Sequence, residues 1–355
     1  MNRTRRRFLT GGAGALATAT AGCLDSLGSG APSVGGQSDD SAAATASFFT
    51  LADFARNVAG EALSVENAVP MGQHGHGWEP RSDITVEIVE RDAFVHLGIE
   101  GFQRWADEVV GEIERNHEGV ASIAAAEDVE LSEYGGHDHN HDGGGEGSHS
   151  DDHDNESDHD HDHGDHEHGH DHGEGDYDPH VWVDPVRSRQ VVETIRDGLM
   201  EADSENAETY EENAGSYLTD LEELHGRFEE GLAGRDHDTV VVAGHDSYGY
   251  LGERYGFEIH TPQGVSPETE ATPSQIAETV DLIEREGIEV VLYDHFEGDS
   301  LARTIAEEAG TVRDVAALSP AESITTEWDA EGLDYVGQMG EINLPALRAA
   351  LGAGS

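Results

Sequence analysis

A short segment with two prolines strongly restricts the backbone in the middle of the chain. It reads Asp178-Pro179-His180-Val181-Trp182-Val183-Asp184-Pro185. Pro179 restricts the residue before it to extended conformations, and Pro185 fits the first turn of a helix, where its missing N–H is not needed. His180 is therefore predicted to lie at a rigid corner between a loop and a helix. A histidine there serves either as a structural hydrogen-bonding group or as a metal ligand.

Two further histidines favour the metal-ligand interpretation of His180. His76 lies in Gln73-His74-Gly75-His76-Gly77-Trp78-Glu79-Pro80, after an apparent strand that ends at Val69-Pro70. His245 follows the apolar run Val240-Val241-Val242-Ala243-Gly244 and precedes a helical pattern. In α/β proteins the loop after a strand is where ligand-binding groups are placed. Three such histidines, far apart in sequence, indicate a metal site assembled from several loops.

Four motifs together resemble one known family. They are His-Gly-Trp-Glu-Pro (76–80), Asp-Pro-His-Val-Trp-Val-Asp-Pro (178–185), Gly-His-Asp-Ser-Tyr-Gly-Tyr (244–250) and Gly-Val-Ser-Pro-Glu-Thr-Glu-Ala-Thr-Pro-Ser-Gln-Ile (264–276). In this order they are similar to signatures of the zinc- and manganese-type (ZnuA-like) solute-binding proteins of ABC transporters. The resemblance runs from about Ala44 to the C-terminus, apart from one insert. It implies a metal-binding lipoprotein that delivers its ion to an ABC metal permease and its ATPase.

The N-terminus has the features of an export signal followed by a lipid anchor. Residues 1–23 contain Thr4-Arg5-Arg6-Arg7-Phe8-Leu9-Thr10, which is typical of a twin-arginine signal, and an apolar run too short to span a membrane. Small residues precede Cys23, the only cysteine, as in a lipoprotein processing box. We therefore expect twin-arginine export and anchoring to the outer face of the cell membrane through Cys23, with residues 24–43 as a flexible tether.

The charge composition points to a saline environment. The chain has 75 acidic residues against 19 basic ones, all of them Arg, and a formal net charge of -56. Such a charge would destabilise a compact protein in dilute buffer, whereas molar salt shortens the Debye length to about 3 Å and screens most of the repulsion. The composition therefore predicts a halophilic, haloarchaeal source. Strong acidity also argues against nucleic acid as a partner.

The segment 135–176 is a low-complexity insert of His, Asp, Glu and Gly without an apolar face, and we expect it to be disordered. Its histidines are His137, His139, His141, His149, His153, His159, His161, His163, His166, His168, His170 and His172. Most imidazoles are neutral at pH 7 and can bind metal. The alternative, an acidic segment for solubility, explains the Asp but not the His. The insert is therefore interpreted as an accessory metal-collecting loop.

Alternating strand and helix patterns predict an α/β fold with parallel sheets. Residues 44–203 are assigned to an N-terminal lobe that contains the insert, and residues 236–355 to a C-terminal lobe. Between them, residues 204–233 repeat apolar positions at helical spacing, and the resemblance implies that this segment is a rigid connector helix. The predicted fold is two lobes, each with a parallel sheet flanked by helices, joined by one long helix, with the metal in the cleft between them.

The predicted metal ligands are His76, His180 and His245, with His74 as a weaker neighbour of His76. In the family a fourth ligand is commonly an aspartate followed by proline in the loop after the last strand, where this chain has Ser319-Pro320. Water, or Asp294 or His295 at a neighbouring strand end, is expected to complete the tetrahedron. Asp184 and Asp246 are expected to fix the imidazole tautomers from outside the ligand set.

The bound ion is predicted to be Zn²⁺, carried as transported substrate by a monomer, because imidazole nitrogens and four-coordination suit zinc better than manganese. One alternative is a manganese- or other divalent-metal-binding protein of the same family. A second is a cell-surface metal buffer or adhesin without a transporter. A third is a metal-dependent hydrolase, but the chain lacks a His-Glu-x-x-His motif, a Gly-x-Ser-x-Gly elbow and a phosphate-binding loop. The expected protein is thus not an enzyme.

Overall fold

The computed structural model describes residues 42–132, 177–263 and 270–354. Several predicted features lie outside these ranges. They are the export signal, Cys23, the tether up to residue 41, the His-rich insert and residues 264–269 of the fourth motif. Within the described ranges, no helix is both long enough and apolar enough to cross a membrane.

The first sheet has four parallel strands in the order β2-β1-β3-β4. These strands are β1 (Ala43–Ala46), β2 (Ser64–Asn67), β3 (Ala93–His96) and β4 (Ala121–Ala124). The chain adds β2 on one side of β1 and β3 on the other. The carboxyl ends of β1 and β3 therefore flank a reversal of strand order, the position at which α/β sheets bind ligands.

The second sheet repeats this arrangement, with parallel strands in the order β6-β5-β7-β8. Its strands are β5 (Thr239–Ala243), β6 (Glu258–His260), β7 (Val290–Asp294) and β8 (Asp314–Leu318). The predicted fold class, two parallel sheets flanked by helices, is confirmed. We call the parts that carry the first and second sheets the N-terminal and C-terminal lobes.

The helices pack against both sheets. They are α1 (Phe49–Ala59), α2 (Ile84–Val89), α3 (Arg104–Asn116), α4 (Pro185–Ala202), α5 (Ala207–Gly231), α6 (Gly249–Tyr255), α7 (Pro273–Glu286), α8 (Ser300–Glu308), α9 (Thr326–Glu331), α10 (Tyr335–Gly337) and α11 (Leu344–Ala350). A 3₁₀ turn at Val181–Val183 precedes α4, and a π-helical segment, Gln338–Asn343, joins α10 to α11. Pro185 occupies the first turn of α4, as predicted, and Asp184 caps that turn by accepting a hydrogen bond from the Val186 N–H.

The long helix α5 contacts both lobes. Its buried positions are Tyr210, Ala214, Tyr217, Leu221, Leu224 and Phe228, the apolar repeat visible in the sequence. Tyr217 donates a hydrogen bond to Asp53 in α1, whereas the Arg227 side chain bonds the Gly340 carbonyl near the C-terminus. At 1.5 Å per residue, a helix of 25 residues is about 37 Å long. One apolar core continues from α1 through α5 to α11 and includes strands of both sheets.

Candidate metal centre

His76 lies in the loop between β2 and α2, where the backbone of Gly75 is held from two sides. The Gly75 N–H donates to Glu322 Oε2 at 3.0 Å, and its carbonyl accepts from Gln103 Nε2 at 2.8 Å. A Cβ on Gly75 would lie 3.1 Å from Phe48 Cβ and 3.4 Å from Glu322 Oε2, so a side chain there would push these neighbours aside. The His76 ring stacks on Phe102 with centroids 5.5 Å apart. This packing fixes the direction of its Nε2.

His180 is almost completely buried, with 1% exposure, at the start of the 3₁₀ turn. Its Nδ1–H donates to Asp178 Oδ1 at 2.7 Å, and its backbone N–H donates to the same oxygen at 2.9 Å. The Trp182 indole N–H donates to the Pro320 carbonyl at 2.8 Å, which ties the turn to the loop after β8. With Nδ1 occupied, the Nε2 of His180 is the nitrogen available for a ligand.

His245 follows β5 in the C-terminal lobe and is fully buried. Its Nδ1–H donates to the Oε1 of Glu297, in the loop after β7. As in His180, a carboxylate on Nδ1 fixes the ring and leaves Nε2 for a ligand. His180 in the N-terminal lobe and His245 in the C-terminal lobe are thus oriented in the same way, each by a carboxylate that accepts its Nδ1–H.

Glu322 is the residue that the sequence did not single out. It follows β8, its side chain is completely buried, and its Oε1 lies 3.3 Å from His76 Nε2 and 3.7 Å from His180 Nε2. Its Oε2 accepts the Gly75 N–H and lies 3.5 Å from His74 Nδ1. The one sequence signal was its position in Ser319-Pro320-Ala321-Glu322, directly after the last strand. The family's usual carboxylate is absent at Ser319, but this chain has a buried one three residues later.

These four side chains form one compact group. The ligand atoms of His76, His180, His245 and Glu322 all lie within 4.8 Å of one another. The three Nε2 atoms and Glu322 Oε1 are buried, and no residue in the described part of the chain gives them a hydrogen bond. Buried polar atoms are rarely left without a partner. A tetrahedron with ligand distances of about 2.1 Å has edges of about 3.4 Å, close to the separation of His76 from Glu322. The donor set therefore fits a four-coordinate divalent cation.

Burial and neighbouring charges shift the pKa values of these side chains. Burial lowers the pKa of His180, but the charge and hydrogen bond of Asp178 outweigh it and raise the pKa above its ordinary value. Burial would raise the pKa of Glu322, but the facing His76 and His74 hold it well below its usual range. Burial lowers the pKa of His245, against the opposing effect of Glu297. The carboxylate is thus kept anionic and ready to bind a cation.

The residues expected to supply the fourth ligand lie outside this group. Asp294 is buried, and its Oδ1 accepts the Phe296 N–H at 2.7 Å. Burial raises the pKa of Asp294 to about 7. The His295 ring packs on Trp328 with centroids 4.3 Å apart. Among the described residues, the group of facing ligand atoms includes Glu322 and neither Asp294 nor His295.

The expected orienting residue Asp184 has other partners in the structure. The carboxylate of Asp184 caps α4 and binds Arg187 and Arg254, with its shortest contacts at 2.8–2.9 Å. Asp178 and Glu297, rather than Asp184 and Asp246, accept the hydrogen bonds from the two imidazole Nδ1 atoms. Asp246 still contributes a charge that raises the pKa of His180. Ser319 is buried and donates to Gln338 Oε1, away from the four ligand atoms.

Comparison with known proteins identifies the family. Residues 45–350 match the family described as "ZnuA: Zinc-uptake complex component A periplasmic". The chain is 31% identical over 317 residues to the "Zinc-binding lipoprotein AdcA" of Streptococcus pneumoniae, an alignment that covers 88% of this chain but only 56% of that relative. It is 25% identical to the "High-affinity zinc uptake system protein ZnuA" of Bacillus subtilis, with 86% of each chain covered.

Solved structures agree with this relationship. The Zn(II)-bound ZnuA-like domain of Streptococcus pneumoniae AdcA superposes with a TM-score of 0.66 at 27% identity, covering 87% of this chain and 98% of that domain. The metal-dependent lipoprotein YcdH of Bacillus subtilis, at 21% identity and a TM-score of 0.67, shows the same fold. The resemblance inferred from the four motifs is confirmed, and the chain belongs to the ZnuA family.

Proposed function

We propose that this protein captures Zn²⁺ outside the cell membrane and delivers it to an ABC-type metal permease with its ATPase. The observation that carries this proposal is the set of four buried atoms without hydrogen-bond partners, three imidazole nitrogens and one carboxylate oxygen, that face one another. The relatives named for zinc binding support the same cargo. His76, His180, His245 and Glu322 would hold the ion, and Asp178 and Glu297 would orient two of the imidazoles.

The donor set favours zinc over manganese. Manganese prefers hard oxygen ligands and higher coordination numbers, whereas three nitrogens and one oxygen are typical of four-coordinate zinc. The Glu322 Oε2 is already held by the Gly75 N–H. This leaves one carboxylate oxygen for the ion and keeps the number of protein ligands at four.

The remaining parts of the proposal concern the cellular setting. The protein would be exported by the twin-arginine pathway of a haloarchaeal cell, anchored through Cys23, and act as a monomer without enzymatic activity. Residues 44–203 and 236–355 would form the two lobes and 204–233 the connector, while the insert would collect several ions loosely beside the cleft. Adjacent genes for an ATPase and a metal permease would support coupling to transport over a cell-surface buffer.

Growth under zinc limitation tests the function. A strain that lacks this gene should stop growing when a chelator lowers free zinc, and the intact gene should restore growth. His180→Ala should not restore it, whereas Glu327→Gln, an exposed position near Glu322, should. Rescue by added manganese but not by added zinc would overturn the choice of metal. Full rescue by His180→Ala would overturn the site.

A further inference from the structure

Tyr250 forms a closed set of hydrogen bonds with Ser132 and Asp178. The Ser132 N–H donates to the Tyr250 hydroxyl at 2.9 Å, and that hydroxyl donates to the Asp178 carbonyl at 2.7 Å. The Asp178 N–H in turn donates to the Ser132 carbonyl at 2.9 Å. The hydroxyl thus donates one hydrogen bond and accepts another, and it holds the backbone of Asp178 from the opposite lobe.

The same aspartate orients a proposed metal ligand. The Oδ1 of Asp178 accepts both the backbone N–H and the Nδ1–H of His180. A continuous path therefore links Tyr250 to the imidazole. The Tyr250 hydroxyl bonds the carbonyl of Asp178, and the carboxylate of the same residue bonds the His180 ring. A displacement of the Asp178 backbone would move the carboxylate that fixes the His180 ring.

The Tyr250 ring itself has little freedom to move. Tyr250 belongs to α6, is 1% exposed, and has the Arg187 guanidinium carbon 4.4 Å above its ring centroid. Arg187 is fixed by Asp184 at 2.9 Å and by Glu253 at 3.1 Å. Since α6 follows His245, the C-terminal lobe supplies one proposed ligand and also holds the residue that orients another.

We propose that Tyr250 is a positioning residue that makes the orientation of His180, and with it the affinity for the ion, depend on contact between the lobes. The Tyr250 hydroxyl holds the Asp178 backbone only while α6 lies against the loop that precedes α4. Separation of these elements removes both of its hydrogen bonds and releases the carboxylate that orients the imidazole. The inference rests on the proposed metal site, to which His180 contributes Nε2.

The test compares Tyr250→Phe with a matched control on the same helix, in the full-length protein. Tyr255→Phe removes a hydroxyl that contacts His225 Nδ1 at 3.1 Å, away from the site. Chelator competition with Zn²⁺ should show roughly a tenfold or greater loss of affinity in the tightest binding phase of Tyr250→Phe, the size expected when an orienting partner of a ligand is lost. The control should change less than twofold.

Two further readouts separate positioning from general destabilisation. The visible spectrum of bound Co²⁺, which reports four-coordinate geometry, should change in Tyr250→Phe and not in Tyr255→Phe. In an Asp178→Ala background, Tyr250→Phe should cause no additional loss of affinity, because both act through the same carboxylate. Equal losses in the two backgrounds, or unchanged affinity and spectrum in Tyr250→Phe, would overturn the inference. Absence of a tight site in the unmodified protein would instead overturn the proposed function.

Discussion

Oxygen Oε1 of Glu322, in the C-terminal lobe, lies 3.3 Å from nitrogen Nε2 of His76, in the N-terminal lobe. Both atoms are buried and have no hydrogen-bond partner among the described residues. A cation held by both would link the two sheets directly, and their burial strengthens its interaction with the carboxylate. This contact makes Glu322 the most informative residue to change.

Glu322→Gln should weaken Zn²⁺ binding by more than roughly 100-fold, the upper end of what loss of an outer partner costs. The substitution keeps the shape of the side chain but removes the anionic oxygen that faces the imidazoles. Competition with a chelator of known affinity measures the change, with Glu327→Gln as the exposed control. Equal affinities for Glu322→Gln and the unmodified protein would remove Glu322 from the ligand set.

His74→Ala should shift the metal preference toward manganese. The His74 ring lies beside Glu322 Oε2, at 3.5 Å from Nδ1, and competes with a metal for that oxygen. Without the ring, only the Gly75 N–H still holds Oε2. A carboxylate that gives both oxygens to the ion raises the coordination number, which favours Mn²⁺ over Zn²⁺. The ratio of the two affinities, measured by direct competition, should change in favour of manganese by several-fold. An unchanged ratio would mean that the Gly75 N–H alone keeps Glu322 Oε2 from binding the ion.

The pH dependence of binding should follow His180. Because Asp178 raises the pKa of His180 above 6.5, more of this imidazole is protonated at neutral pH than in an ordinary histidine, and the ion must displace that proton. Zinc affinity should therefore begin to fall above pH 6.5 as the solution is acidified. Asp178→Asn removes the charge, so fewer protons should be released on binding at pH 7 in a weakly buffered titration. An affinity that stays flat from pH 7.5 to 5.5 would contradict a histidine site.

A buried histidine outside the site should govern part of the acid sensitivity of the fold. Burial lowers the pKa of His96 from 6.5 to about 4. The unfolded chain therefore takes up this proton near pH 6.5 and the folded chain only near pH 4, so stability is lost as the pH falls through that window. The unmodified protein should therefore lose about 2 kcal/mol more of its free energy of unfolding than His96→Leu when the pH falls from 7 to 5. Urea unfolding at constant high salt measures this difference, and parallel stability curves would exclude the effect.

Asp184 should contribute more to the stability of the fold than to metal binding. Its buried carboxylate binds the guanidinium groups of Arg187 and Arg254, one on each side of the lobe contact. Asp184→Asn leaves these cations without their anion and should lower the free energy of unfolding by about 2–3 kcal/mol, less than for a fully buried pair because Arg254 is partly exposed. Zinc affinity should fall less in Asp184→Asn than in Asp178→Asn, because Asp178 accepts the Nδ1–H of His180 directly. Intact stability together with a tenfold loss of affinity would support the original assignment of Asp184 as an orienting residue.

Local sequence patterns predicted the parts of this structure that are set by neighbouring residues. The apolar spacing of α5 predicted its buried face, and Pro185 predicted the first turn of α4. Prolines and glycines close in sequence to His76, His180 and His245 identified the three histidines that the fold brings together. Each of these signals lies within a few residues of the position that it describes.

The missed residues depend on contacts between distant parts of the chain. Glu322 is one of 75 acidic residues, and apart from its position after β8 it is distinguished by the packing of its loop against the loop that carries His76. Asp178 and Asp184 flank the same histidine, His180. Which of them accepts its Nδ1–H depends on the direction that the backbone takes on each side of it. Asp184 immediately precedes a helix that begins with proline, so its carboxylate caps that helix, whereas Asp178 accepts the Nδ1–H of His180.

One tight zinc site should lie in the body of the protein, separate from the insert. The Asp178 N–H already bonds the Ser132 carbonyl, so a short linker can replace residues 135–176. The shortened protein should still bind one Zn²⁺ tightly, and X-ray absorption at one equivalent should show about three nitrogens and one oxygen at 2.0–2.1 Å. Loss of the tight ion on removal of the insert, or a shell dominated by oxygen, would contradict the account.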